Sequence, residues 1–407
     1  MRKTATLLGL AAMPVALMAQ KSFELSLKNE STIPAKDYPV SINLKAHAME
    51  VRSAMVTDNG KEIPCQLDDL DGDGTYDELF LLTDLEKRGE KTLKVTLYDS
   101  GAPRQYEPKV YVDMMLTNKK IKESNKQDLY IQSLTVDRDV NPYWMLHHHG
   151  AAFENELVAY RIYFDHRQTV DIYGKYRKGL ELKQTQFYPD TEQKAAGFGD
   201  DVLWVGNTFG VGTLRGWDGK EPVMVSDVEH RGQRIVARGP LRTIVEVKDE
   251  AWRVTPTSQP VDMTTLYTLH AGHRDCRVDV SFSRDVSDLR FSTGVINVKN
   301  STEFSDKKGL RGCWGTDWPV SEKDSAGHKR ETVGLGICLP QEVVENELPG
   351  NKDNYPYVVK INGNHLTYHI SFCSDNESFG MHSEKEWYAC LQEWKKALGV
   401  KVTVKTR

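Results

Sequence analysis

Apolar and polar residues alternate with a period of two over short stretches that recur along most of the chain. In the first hundred residues the alternation covers 23–27, 40–44 and 93–97, and an apolar run spans 78–82. Successive side chains of a β-strand point to opposite faces, so this period predicts strands. Strands of this length, separated by turn residues, predict a small N-terminal β-sandwich module at residues 20–103.

Residues 99–144 are a transition, and the Lys-rich stretch at 118–127 within it predicts a solvated linker or a helix. The alternation continues from residue 145 to residue 407. The further strands are predicted at 202–205, 211–214, 235–237, 243–247, 263–270, 277–283, 366–372 and 400–404. So many strands predict a mainly β fold in which residues 104–407 form a large two-sheet sandwich.

One segment, 384–398, has a clear helical period. Its apolar stripe consists of Trp387, Leu391, Trp394 and Leu398. Ser383 immediately precedes this segment, and Glu386 follows Ser383 at the three-residue spacing of a capping box. Gly399 follows the segment, where glycine commonly ends a helix. We therefore expect a C-terminal helix over these residues.

Two alternating runs at 156–165 and 169–175 predict a β-hairpin with its turn at 165–168. One face of this hairpin would carry Arg161, Tyr163, Asp171, Tyr173 and Lys175. The three histidines His147, His148 and His149 lie just before it. This concentration of proton-transferring and anion-binding groups makes the hairpin the candidate functional site.

The histidines allow three interpretations. An imidazole titrates near neutral pH, so His147 or His148 could serve as a catalytic acid or base, with His149 contacting the substrate. In an extended segment His147 and His149 would share a face, and such a pair can bind a transition metal with Glu154 or His166 as a third ligand. Alternatively, some of the histidines only form hydrogen bonds within a loop.

The planar guanidinium of Arg161 suits a carboxylate or sulfate group, and Lys175 could bind the same group. The alternative for Arg161 is an ion pair with Asp171 or Asp165 across the hairpin.

Tyr163 and Tyr173 could transfer a proton if a nearby cation lowers the pKa of the phenol, or they could simply pack on a half-buried sheet. Trp204 and Trp217 could stack against a bound sugar, or they could pack within turns.

An acidic, glycine-containing turn carries Asp69, Asp71, Asp73 and Asp77. Aspartates at alternate positions followed by glycine are typical of short calcium-binding loops, so a structural Ca²⁺ is possible here. The twelfth position of a full EF-hand loop would be Phe80, which has no ligand atom, so this is not an EF-hand. The alternative is an acidic turn between two strands.

Composition and the N-terminus restrict the class of protein. The net charge of −5 gives no indication of a nucleic-acid partner, and the 8 Trp and 17 Tyr are compatible with a carbohydrate partner. Arg2 and Lys3, the apolar run at 7–18 and Ala19 predict a signal peptide at 1–19, hence a periplasmic or secreted protein. The apolar run is too short to span a bilayer.

The run from His147 to Asp165, continued at 169–175, resembles a family of exported Bacteroidetes proteins, the domain of unknown function 4861. The acidic turn and the helix with Trp387 and Trp394 also fit, and the resemblance covers nearly the whole mature chain. The family occurs in polysaccharide-utilisation loci. The resemblance implies a galactose-mutarotase-like supersandwich, the fold of many polysaccharide lyases, and it points to a relative that acts as a dehydratase on a terminal uronic acid of ulvan oligosaccharides.

These observations predict an exported dehydratase or lyase that eliminates across C4–C5 of a uronic-acid residue in an oligosaccharide. Arg161, with Lys175, would neutralise the substrate carboxylate, one histidine would take the C5 proton, and Tyr163 or Tyr173 would protonate the leaving oxygen. This chemistry requires no cofactor. The alternatives are a non-catalytic glycan-binding protein, a mutarotase and a glycoside hydrolase.

Overall fold

A computed structural model describes residues 19–406. The predicted signal peptide lies outside these residues except for Ala19, so export stays a prediction. In chain order, the first strands are β1 (Gln20–Asn29), β2 (Ala35–Asn43), β3 (Ser53–Asp58), β4 (Lys61–Ile63), β5 (Cys65–Asp68), β6 (Glu78–Leu85) and β7 (Glu90–Tyr98). β1 and β3 flank β7 in one sheet, and β2, β6 and β5 form a second sheet. Leu25, Val56, Leu81 and Val95 belong to the buried core that both sheets share.

Most of the remaining chain is also β-structure. Its strands are β8 (Val110–Asp113), β9 (Met115–Leu116), β10 (Leu129–Tyr130), β11 (Ser133–Asp137), β12 (Gly150–Asn155), β13 (Ala159–Tyr163), β14 (Val170–Gly174), β15 (Asp200–Asp201), β16 (Arg215–Trp217), β17 (Pro222–Val223), β18 (His230–Arg238), β19 (Arg242–Trp252), β20 (Val261–His270), β21 (Asp275–Phe282), β22 (Phe291–Ile296), β23 (Thr302–Ser305), β24 (Leu310–Asp317), β25 (Glu331–Cys338), β26 (Val344–Glu347), β27 (Asn354–Val359), β28 (His365–Ser374) and β29 (Val402–Thr406). The helices are α1 (Leu182–Thr185), α2 (Thr191–Ala195) and α3 (Glu384–Leu398), and single 3-10 turns lie at Leu44–Ala46, Pro142–Trp144, His147–His149, Glu322–Asp324 and Gln341–Val343.

Three large antiparallel sheets build the main body. Nine strands pair in the order β11-β18-β19-β20-β21-β28-β25-β24-β23, and two five-stranded sheets have the orders β15-β14-β13-β12-β8 and β17-β16-β22-β27-β26. Tyr160, Val247, Phe291 and Phe372, from all three sheets, belong to one hydrophobic core. The mainly β prediction is therefore confirmed, but three large sheets, instead of the two predicted, form this body.

Helix α3 has the predicted limits and packs over β24 and β25. Trp387 is fully buried, and its indole N–H donates to the carbonyl of Leu335 at 3.1 Å. A glycine is required on the sheet below, because a Cβ on Gly334 would lie 2.7 Å from the Trp387 ring. Ser383 caps the helix by accepting from the N–H of Glu386. Among residues 19–406, no helix combines the length and the apolar character needed to cross a membrane.

The two ends of the described chain meet in one sheet. β29 pairs antiparallel with β1, and β1 in turn pairs with β7. Residues 402–406 thus extend the N-terminal sheet. The division at residue 103 stays a prediction.

Two predicted strands are wrong. Residues 202–205 follow β15 without joining a ladder, and within 211–214 only Val211 makes an isolated bridge, to Val295. Gly206, Gly210 and Gly212 have positive φ angles and turn the chain repeatedly here. Apart from the exposed Trp204, the apolar side chains of these segments are buried, but their backbone does not run along a partner strand. The Lys-rich stretch at 118–127 contains no helix.

Candidate active site

The predicted hairpin is confirmed: β13 pairs with β14, and Arg161 lies opposite Asp171. Tyr160 and Ile162 alternate with Arg161 and point into the main hydrophobic core. Arg161 therefore lies on the other face of the sheet, as the period of two predicts. The chain between β14 and β15, which contains α1 and α2, folds over this face, and its Phe187 packs 4.2 Å from the Arg161 guanidinium.

Arg161 is the centre of a buried polar network, here called the Arg161 network: Arg161, Tyr163, Asp171, Tyr188 and Asp201. The Arg161 Nε and one terminal nitrogen donate to the same Asp171 oxygen at 2.9 and 2.6 Å. That terminal nitrogen also donates to Asp201 at 2.7 Å, and the other donates to the Tyr188 hydroxyl at 3.1 Å. The alternative prediction of an Arg161–Asp171 ion pair is thus what the structure contains.

Two carboxylates share one guanidinium in this network. The Asp171 side chain has no exposed surface, whereas 21% of the Asp201 side chain is exposed. Burial, together with the Asp171 charge and against the influence of Arg161, raises the pKa of Asp201. One positive charge cannot fully compensate two buried negative charges, so Asp201 is the member that takes up a proton most readily.

The two tyrosines of the network differ in the use of their protons. The Tyr163 hydroxyl donates to Asp171 at 2.9 Å and is buried. The Tyr188 hydroxyl accepts from Arg161, and none of the described contacts uses its own proton. Tyr188 is half-buried, and burial raises the pKa of its phenol, which therefore stays protonated at neutral pH. Tyr188 is the phenol of this network that can donate to a ligand.

The three histidines form a tight turn instead of an extended segment. His148 and His149 have left-handed φ angles of 38° and 69°. Gln186 and Phe187, on the covering segment, have φ angles of 47° and 70°. Non-glycine residues adopt such angles at an energetic cost, and they tend to cluster at functional sites. His147 Nε2 joins the two strained segments by donating to the Gln186 carbonyl at 3.2 Å.

The strained turn points each imidazole in a different direction. His148 is buried, and its Nε2 lies 3.0 Å from Asp113, which is a structural contact. His147 is held by Gln186, and burial lowers the pKa of His147 to about 3. These two predicted catalytic histidines are therefore fixed within the protein, as the loop alternative proposed.

His149 has the properties of a general base. Its ring stacks on Tyr143 at 3.8 Å, and its Nδ1 lies 2.9 Å from the Tyr143 carbonyl. A carbonyl can only accept, so Nδ1 carries the proton and Nε2 keeps a lone pair. Burial lowers the pKa of His149 to about 4, so the ring is neutral at pH 7. His149 is half-buried, and none of the described contacts uses Nε2.

Aromatic and cationic groups surround His149. Tyr163 meets the stacked pair edge-on, 5.4 Å from Tyr143 and 6.0 Å from His149. The Arg167 guanidinium lies 4.6 Å from the Tyr143 ring and forms an ion pair with Asp165 at 2.5 Å. Tyr163, a member of the Arg161 network, thus also lies next to His149. Arg167 provides a second cation near these rings.

Lys175 and Tyr173 do not open onto this site, which corrects their assignment to substrate binding and catalysis. Lys175 is buried, and its ammonium donates to Glu154 at 2.5 Å and to the carbonyls of Asn155 and Gly179. All three protons are therefore used. Tyr173 is fully buried, and its hydroxyl donates to Glu181 at 3.1 Å.

Trp204 and Trp217 belong to different elements of the fold. Trp204 is exposed and follows β15, three residues after Asp201. Trp217 ends β16 in the other five-stranded sheet, where it pairs with Pro222. The two indoles thus come from different elements, and their contact with a sugar stays a prediction.

Three of the four predicted calcium ligands converge. Carboxylate oxygens of Asp69, Asp71 and Asp77 lie within 4.8 Å of one another, and this is the one such group of metal-ligating side chains among residues 19–406. Asp73 instead accepts from the N–H and hydroxyl of Thr75. The Lys45 ammonium contacts Asp71 at 2.9 Å and Asp77 at 2.7 Å and neutralises part of their charge. The oxygen ligands fit calcium, but Lys45 must move for it to bind.

Tyr188, Asp201, Tyr143 and Arg167 were not predicted as site residues. Tyr188 and Asp201 lie 27 and 40 residues after Arg161 and reach it only because the segment between β14 and β15 folds back. The alternation of apolar and polar residues cannot predict contacts between residues this far apart in the sequence. Arg167 lies in the predicted hairpin turn, and its position next to the polar face was the one available signal.

A model of the domain of unknown function DUF4861 matches residues 27–404, so the chain belongs to this family. The resemblance carried by the histidine run and the hairpin is confirmed. No curated protein matches the chain.

Two solved structures from Enterococcus faecalis are similar to this chain at low sequence identity. One is a protein in glycosyl hydrolase family 38, with 11% identity, a TM-score of 0.49, and coverage of 95% of this chain and 47% of that chain. The other is an α-mannosidase from strain V583, with 12% identity, a TM-score of 0.45, and coverage of 95% and 46%. The chain thus spans about half the length of the structures it matches.

We expect Lys175→Met to destabilise the protein by about 3–5 kcal/mol, because it leaves the Glu154 carboxylate buried without its partner. Lys183→Met, on the exposed side of α1, is the matched control and should change stability by less than about 0.5 kcal/mol. Denaturant unfolding measures both. A Lys175→Met protein as stable as the wild type would contradict the structural role of Lys175.

We expect calcium to raise the melting temperature of the metal-free protein, since a ligand that binds only the folded state stabilises it. Asp71→Asn should abolish the shift. Asp73→Asn should retain it, because Asp73 caps Thr75 and does not join the other three carboxylates. Equal shifts in all three proteins, or none in the wild type, would exclude this calcium site.

Proposed function

We propose that this DUF4861 protein is an exported carbohydrate-active lyase that eliminates across C4–C5 of a uronic-acid residue at the end of an oligosaccharide. One observation carries the proposal: His149, a neutral imidazole with a free Nε2, and Tyr188, a phenol with a free proton, flank the same Arg161–Tyr163 pair. Elimination needs a base and an acid of this kind on either side of a site that favours negative charge.

The reaction balances with these two groups. His149 Nε2 takes the C5 proton, and the C5–H electron pair forms the C4=C5 double bond. The C4–O4 bond breaks, and O4 takes the Tyr188 proton. Water leaves where C4 carries a free hydroxyl. Where O4 is glycosidic, the sugar attached through O4 leaves with a new hydroxyl, as a reducing end. Exchange with solvent then returns the imidazole and the phenol to their starting states.

The charge of the site suits a carboxylate substrate once Asp201 is protonated. Arg161 and Arg167 then offset Asp171 and Asp165, and a substrate carboxylate is not repelled. Protonated Asp201, which is partly exposed, can donate a hydrogen bond to that carboxylate. This lowers the energy of the enolate-like transition state, in which the C5 electron pair spreads onto the carboxylate.

The sheet arrangement and the predicted signal peptide extend this proposal to the fold and the location of the protein. The nine-stranded sheet and the two five-stranded sheets enclose one core, which supports a galactose-mutarotase-like supersandwich. The predicted signal peptide supports a periplasmic or secreted enzyme that meets polysaccharide fragments outside the cytoplasm. Calcium, if bound at the acidic turn, would be structural, since that turn lies in the N-terminal module.

A glycan-binding protein without turnover is the second candidate, and the aromatic groups around His149 support it. A glycoside hydrolase is less well supported. Asp171 and Asp201 both contact one nitrogen of Arg161, and Asp171 has no exposed surface from which to reach a sugar or a water.

We expect His149→Ala and Tyr188→Phe each to lower kcat on glucuronate-ended oligosaccharides by about 10²–10⁴-fold, the usual contribution of one proton-transferring group. The assay follows the near-ultraviolet absorbance of the unsaturated product and the loss of about 18 Da, the mass of one water. His365→Ala and Tyr176→Phe, on other surfaces, are the matched controls and should keep wild-type rates. Full activity in His149→Ala would remove the assigned base, and a glycan returned unchanged by the wild type would favour the binding protein.

The pH dependence of kcat/KM tests the protonation states. His149 must be neutral, and its pKa of about 4 places the acidic limb near pH 4 instead of near 6.5. Asp201 must be protonated, so kcat/KM falls as the pH rises through its raised pKa, and Asp201→Asn should remove this basic limb. An acidic limb between pH 6 and 7 in a folded protein would contradict the assignment of His149.

A further inference from the structure

Large exposed apolar side chains are concentrated in one short region beside the candidate site. Five of the seven within residues 19–406 lie between 129 and 145. They are Leu129, Tyr130, Val140, Trp144 and Met145. Single exposed apolar residues need no explanation, but a group of them next to a polar site is typical of a binding surface.

Backbone pairing brings the two ends of this region together. Leu129 pairs with Leu116 in the β9–β10 ladder, and Leu116 also bridges to Leu146. The Thr117 N–H donates to the Met145 carbonyl at 2.8 Å. Leu129 and Met145 therefore lie on opposite sides of the 116–117 segment. We call Leu129, Tyr130, Trp144 and Met145 the apolar strip.

Trp144 is the member of the apolar strip that packs against His149. Its ring lies 4.9 Å from Tyr143 and 5.2 Å from His149, at 88° and 86° to those rings. Tyr143 and His149 are stacked on each other and nearly equidistant from Trp144, so their edges share one face of the indole. The opposite face is open, and Trp144 is 76% exposed. An indole held in this way is a rigid apolar platform with one free face.

We infer that the apolar strip is a second sugar subsite, which holds the residue next to the uronic acid and makes the protein selective for longer oligosaccharides. This inference rests on the proposed function. The C–H-bearing face of a pyranose is apolar and stacks on a free indole face. A sugar on the open face of Trp144 would lie on the far side of the indole from His149, whose ring centroid is 5.2 Å from that of Trp144. It would therefore occupy a position next to the reacting residue and not the position of that residue itself. Four side chains are too few for a stable protein interface, which buries about 800 Å² per partner.

The test compares a glucuronate-ended disaccharide with a tetrasaccharide of the same repeat. We expect the wild-type kcat/KM to be at least tenfold higher for the tetrasaccharide, and Trp144→Ala to reduce this ratio to near one. Trp318→Ala is the matched control, because Trp318 is partly exposed and stacks against Arg330 beyond β24. It should keep the wild-type ratio. Circular dichroism verifies folding of both variants.

Calorimetric titration with the tetrasaccharide separates this inference from the proposed function. If no substrate is turned over but Trp144→Ala weakens tetrasaccharide binding about tenfold or more, the lyase fails and the subsite stands. If turnover occurs with equal kcat/KM for both lengths, or with a ratio that Trp144→Ala does not change, the subsite is overturned. It is also overturned if Trp144→Ala leaves binding unchanged but dissociates a dimer in sedimentation, since the strip would then bind a second copy of the chain.

Discussion

The candidate site depends on one guanidinium that is shared by two carboxylates. Arg161 lies on a buried sheet face, where a single unpaired charge would be very costly, and Asp171 compensates it across the hairpin. Asp201 then approaches a site whose charge is already balanced. This excess of negative charge favours a proton on Asp201. The other terminal nitrogen of Arg161 donates to the Tyr188 hydroxyl, whose own proton stays unused among the described contacts. The acid side of the chemistry follows from this arrangement.

The position of the proposed general base, His149, depends on backbone strain. His148 and His149 can hold left-handed angles because the chain on both sides is fixed: His148 is anchored to Asp113, and Gly150 packs against β13. A Cβ on Gly150 would lie 1.8 Å from the Ile162 carbonyl oxygen, so only glycine allows β12 to begin here. This geometry separates three adjacent imidazoles, and it places His149 against Tyr143, where burial keeps it neutral. Strain of this kind persists only where surrounding contacts determine it.

The period of the apolar residues predicted individual strands and helices correctly where the contacting residues are also close together in the sequence. The hairpin β13–β14 and helix α3 belong to this class. The same period placed Lys175 on the polar face but could not reveal that Glu154, on β12, takes up its charge. It also could not reveal the turn at His147–His149, the approach of Tyr188 and Asp201, or the pairing of β29 with β1. These features depend on contacts that are distant along the chain.

Removal of the C5 proton by His149 is the central step of the proposed reaction, and an isotope experiment tests it most directly. A glucuronate-ended oligosaccharide that carries deuterium at C5 is incubated with the enzyme, and the product is analysed by mass spectrometry and NMR. We expect the deuterium to be lost to solvent, turnover to be slower than with hydrogen at C5, and the His149→Ala enzyme to leave the label in place. Recovery of the intact labelled glycan from the wild-type enzyme, or release of the label at an equal rate by the His149→Ala enzyme, would contradict this expectation.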